Sequence, residues 1–193
     1  MEKFNAQIPV RYGVIAFAFI LTLGLLMYVF YQSVVTNFML LGTIFLFAFA
    51  LVLFLAIWSG ISYRRENGGV ISFGHAFLAV FIVFVFNAVA NPVAQLLINK
   101  VIDKQYAEKA SSLLKEKMSD YFDKNNVPED RAKEAMKDMG PEKFDPPFMK
   151  QMQTMAYMLA FFAIISAIVA AFIKRGSGDL VASGMPPEPI STI

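Results

Sequence analysis

The chain has 193 residues, of which 57% are hydrophobic and 17% charged, with 20 Phe against one Trp. Soluble domains run roughly 45–50% apolar and about 25% charged, so this surplus is more than a core of this size can bury and requires lipid as solvent. A net charge of +2 gives no basis for a nucleic-acid partner, and the absence of cysteine excludes disulfides, thiol catalysis and cysteine–zinc sites.

An apolar helix of about 20 residues crosses a hydrocarbon core of roughly 30 Å. Four stretches without Asp, Glu, Lys or Arg meet that length: residues 12–31, 38–61, 71–98 and 152–173. Backbone groups inside lipid must bond within their own segment, which makes these stretches helices. The first is longer than the roughly 7–15 residues of a signal-peptide core. It ends in Met27-Tyr28-Val29-Phe30-Tyr31, without a small-residue cleavage site, and is therefore expected to be a retained span.

Residues 32–37 predict a tight hairpin between the first two spans. Residues 62–70 carry Arg64, Arg65 and the pair Gly68-Gly69 into the third. Residues 1–98 thus hold three spans, 99–151 a polar insert, 152–175 the fourth span and 176–193 a Gly-, Ser- and Pro-rich tail expected to be disordered. In the insert, Ile102, Tyr106, Ala110, Leu113, Leu114, Met118, Tyr121 and Phe122 recur at three and four, marking one face of a helix. With no proline before it, that helix is expected to run on from the third span. Pro128, Glu129 and Asp130 then suit a helix start, and Gly140-Pro141 a helix end. The fold class is all-α: a polytopic membrane protein with a helical extracytoplasmic insert between its third and fourth spans.

Basic residues beside helix ends set the orientation. Lys3 and Arg11, Arg64 and Arg65, and Lys174 and Arg175 all fall on one side after four crossings, opposite the uncharged 32–37 loop. Both termini are therefore expected in the cytoplasm of an inner membrane, with the insert periplasmic. The insert carries 11 basic and 11 acidic residues, but long loops translocate largely regardless of charge.

Three sets of residues could carry function. Arg64 and Arg65 beside Gly68, Gly69, Ser72 and His75 could hold a lipid headgroup or another anion; the plainer reading is a turn at glycine and a Ser72 helix cap. Asn87, Asn91, Gln95 and Asn99 recur every four residues, with Pro92 between them. They should face other helices or water, either as interhelical hydrogen bonds or as a path for a polar substrate. Ala156, Ala160, Ala163, Ala167 and Ala171 form a small-residue face expected to pack inside the helix assembly, with partner binding as the alternative; Ala56 and Gly60 are a shorter version. The acids of the insert alternate with lysines and lack calcium-loop spacing, so neither catalytic residues nor a metal or cofactor site is expected.

The Gly68-Gly69 turn, Ile71-Ser72-Phe73-Gly74 leading into the third span, Asn91-Pro92 late in it and the charged insert before a last span resemble the domain of unknown function 4199 family. The resemblance covers nearly the whole chain. It implies a four-span bacterial inner-membrane protein, mainly of Bacteroidetes, and brings no catalytic residues. The expectation is a non-enzymatic accessory or scaffolding partner of another envelope protein, resident in the lipid bilayer and binding another membrane protein or itself. The alternative is a small transporter, channel or lipid carrier using the stripe of the third span.

Overall fold

A computed structural model describes residues 4–137 and 139–174; Lys3, Arg175 and the predicted tail at 176–193 lie outside the described residues. Every regular element among them is helical. In chain order these are α1 (Gln7–Val29), α2 (Tyr31–Thr36), α3 (Phe38–Glu66), α4 (Phe73–Leu96), a π-helical turn (Leu97–Ile102), α5 (Tyr106–Lys124), α6 (Glu129–Lys137), a 3-10 turn (Pro141–Lys143) and α7 (Phe148–Ile173). Four of them are long and apolar enough to cross a membrane: Gln7–Val29, Met39–Glu66, Phe73–Ile102 and Phe148–Ile173. The protein is an all-α, multi-pass membrane protein. Apart from the amides of the third span, none of them carries a polar stripe, as lipid requires.

Chain contacts divide the molecule into two compact units. The first comprises the residues up to Phe19, Phe49–Val89 and the residues from Met155. At its centre Phe84, fully buried, stacks on Phe162 with ring centroids 4.5 Å apart and planes at 8°. Ser59 donates its hydroxyl to the Ala79 carbonyl at 2.8 Å, tying α3 to α4. Gly60 lets α7 in: a Cβ there would stand 2.7 Å from Ile173 Cδ1 and 3.1 Å from Val80 Cγ2. Gly13 does the same between α1 and α4, where a Cβ would fall 2.5 Å from the Phe86 ring. Small residues at such crossings replace the hydrophobic drive that lipid removes.

The second unit comprises Ile20–Ala48 and Ala90–Thr154. Most of residues 32–37, expected as a hairpin loop, lie in α2, which packs on α5. Asn37 separates it from the next span, its side-chain oxygen accepting the Leu40 N–H at 3.0 Å as a helix cap. The third span does not run on into the insert helix. A π-helical turn closes it, Asp103 takes an extended backbone, and the Asp103 side chain accepts the Gln105 N–H at 3.0 Å. That local acceptor gives the backbone an alternative to the helix and stops it. Asn126 sits at φ 51 between α5 and α6, a conformation Asn tolerates. Ser111 on α5 donates to the Met139 carbonyl at 2.6 Å, tying the chain after α6 back to α5. Ile102 and Tyr121, placed on the buried face by spacing, are exposed.

Candidate functional site

The turn into α4 is built as its residues suggest. Gly68 and Gly69 hold φ of 67° and 83°, which a side chain would strain. Ser72 Oγ accepts the His75 N–H at 3.3 Å, and the Ser72 carbonyl accepts the Ala76 N–H, capping the helix. The two arginines diverge. Arg64 donates to the Ile173 carbonyl at 3.1 Å, a cation on the negative end of α7. Arg65 lies 6.0 Å over the Trp58 ring, a cation–π contact at an interfacial tryptophan. His75 packs against Phe4 and Tyr63, with centroids 5.6 and 6.2 Å away. Arg64 thus ties the end of α3 to the end of α7, while Arg65 rests on its own helix.

Spacing alone did not identify Tyr63 as the hub of this cluster. It is 1% exposed, packs tilted against Phe4 with centroids 5.0 Å apart, accepts the Asn5 N–H at its hydroxyl and takes the Asn67 side chain on its carbonyl. Tyr12 and Ser62 share a hydrogen bond of 3.2 Å beside it. The available signal was the enrichment of tyrosine where a span meets the headgroups.

The amide stripe separates. Asn87, in the first unit, is buried at 7% exposure. Of the three in the second unit, Asn91 is exposed, Gln95 half-buried and Asn99 only 4% exposed. Asn99 sits in the π-helical turn and donates Nδ2 to the Phe144 carbonyl at 2.9 Å, pinning the segment before α7. Its Oδ1 is buried without a partner. Only the amide nitrogen can donate to that carbonyl, so the bond fixes the amide orientation and leaves the oxygen as the orphan. Next to it Lys100 pairs with Asp145 at 2.6 Å. Phe144 in turn meets Tyr106, which stands edge-on to Tyr28 and Tyr31 at 5.3 and 5.7 Å. Burial pushes the Tyr106 phenol up, with Tyr31 and Tyr28 adding to the shift. On the exposed side, the hydrogen bond from Lys109 holds the Asp103 carboxyl below its usual range, helped by the Gln105 N–H. The same bond to Asp103 raises Lys109.

The alanine row of α7 is rotated off the packed face it was expected to fill. Ala156, Ala160 and Ala171 are exposed, and Ala163 and Ala167 only half-buried. The buried residues are Phe162, Ser166, Ala170 and Ile173, one position earlier around the helix. Phe162 stacked on Phe84 and Ile173 seated at Gly60 set that rotation. In α3 the shorter pair does pack, with Ala56 fully buried and Gly60 against Ile173. Among the described residues, no group of three or more His, Asp or Glu side chains stands close enough to hold a metal ion.

A family described as "Protein of unknown function (DUF4199)" matches residues 11–175. Comparison with curated proteins and with solved structures finds no match.

Proposed function

The chain belongs to this DUF4199 family, and we propose that it is a non-enzymatic accessory subunit, docking through α7 onto another envelope membrane protein. The observation that carries this reading is the outward alanine face, Ala156, Ala160 and Ala171, beside exposed Tyr157, Phe161 and Phe172. Small residues let a second helix approach closely in lipid, and large neighbours supply interdigitating contact. Affinity purification in mild detergent is expected to recover a stoichiometric membrane partner with the native chain. Ala156→Leu with Ala160→Leu should lose it while the protein stays folded. Recovery of this chain alone, or a partner retained by the double variant, overturns the reading.

The same reading places the chain in a bacterial inner membrane with both termini cytoplasmic and α5 and α6 periplasmic. The uncharged residues 32–37, opposite Arg11, Arg64 and Arg65, support that orientation. The chain has no native cysteine, so single introduced cysteines report cleanly. In intact cells an impermeant maleimide should label Glu129→Cys and leave Glu66→Cys unlabelled until the membrane is opened. The opposite pattern reverses the orientation.

A further inference from the structure

Within the first unit, α1 and α4 leave an open groove of about 250 Å³ lined only by Val14, Phe17, Val85, Phe86 and Val89. Next to it, Gly13 admits the Phe86 ring to the α1 backbone. One helical turn from Val14, toward the N-terminus, is Arg11, exposed and, among the described residues, without an ion pair or hydrogen bond. This differs from Arg64 and Arg65, which rest on a carbonyl and a tryptophan face. A flexible hydrocarbon chain suits this groove, since its lining has no polar atom to satisfy. The cation at the mouth lies in the second turn of α1, where a long side chain reaches the headgroup layer.

We propose that this groove and Arg11 form a binding site for an anionic phospholipid, with an acyl chain between α1 and α4 and the phosphate on the Arg11 guanidinium. Guanidinium matches phosphate oxygens with two parallel donors, and no described carboxylate competes for it. The site is separate from the docking face on α7, and its test does not depend on finding a partner.

Native mass spectrometry of the purified chain, titrated with phosphatidylglycerol or phosphatidylcholine of matched acyl chains, tests it. One basic residue near an anionic headgroup is worth about a five-fold preference. The native chain is therefore expected to bind phosphatidylglycerol about five-fold better. Arg11→Gln should erase the preference and keep phosphatidylcholine binding. Val89→Trp, which fills the groove from an exposed position, should weaken both lipids. Arg65→Gln should leave the preference intact. Equal binding of the two lipids by the native chain, a preference that survives Arg11→Gln, or one that disappears with Arg65→Gln overturns the proposal.

Discussion

Phe84→Ala should destabilise the protein in mixed micelles by about 2 kcal/mol, while Phe172→Ala on α7 should change it by less than about 0.5 kcal/mol. In a soluble core, removing a buried phenylalanine costs about 3–5 kcal/mol, part of it the loss of transfer from water. That part is missing here, because an unfolded span in lipid keeps its side chains in hydrocarbon. What remains is the cavity and lost dispersion around a fully buried ring, together with the stacked pair with Phe162, worth about 0.5–1.5 kcal/mol. Phe172 is 83% exposed and leaves no cavity behind. Reversible unfolding followed by circular dichroism in increasing dodecyl sulfate reads both. Equal losses would mean that the aromatic contact contributes no more than any lipid-facing ring.

The contrast between these two rings also explains what could be read from the sequence. The spans were legible because a charge-free run is a one-dimensional signal, and lipid imposes the helix on it. The Gly68-Gly69 turn and the Ser72 cap were legible because each depends on the chemistry of adjacent residues. The rotation of α7 was not. In lipid, hydropathy does not separate the inside of the protein from the outside, so an alanine row reads equally well as a packed face and an open one. The deciding contacts, Phe162 to Phe84 and Ile173 to Gly60, join residues far apart in the chain. The break at Asp103 was hidden for a different reason. It depends on a side chain bonding its own backbone two residues on, which competes with an apolar periodicity that continues on both sides.

Two side chains at the end of the third span, Asn99 and Lys100, reach the segment before α7, and the same reasoning about magnitude predicts which of them matters more. Asn99→Asp replaces the Nδ2 donor with an oxygen facing the Phe144 carbonyl, an acceptor against an acceptor in a site 4% exposed. Removing one partner of a buried hydrogen bond costs about 1–3 kcal/mol, and more when a charge is introduced, so a loss of about 3 kcal/mol is expected at neutral pH. Asn99→Leu should cost less, about 1–2 kcal/mol, because it strands the Phe144 carbonyl but also removes the orphaned Oδ1. Lys100→Ala breaks the shorter contact, the 2.6 Å pair to Asp145, yet should cost only about 0–1 kcal/mol, since the Lys100 side chain is 61% exposed and water replaces its partner. Hydrogen exchange read over residues 139–147 separates the three. Protection should collapse with Asn99→Asp, weaken with Asn99→Leu and hold with Lys100→Ala. If Lys100→Ala opened the segment as far as Asn99→Asp, the surface ion pair, and not the buried amide, would be what anchors the insert to the end of the third span.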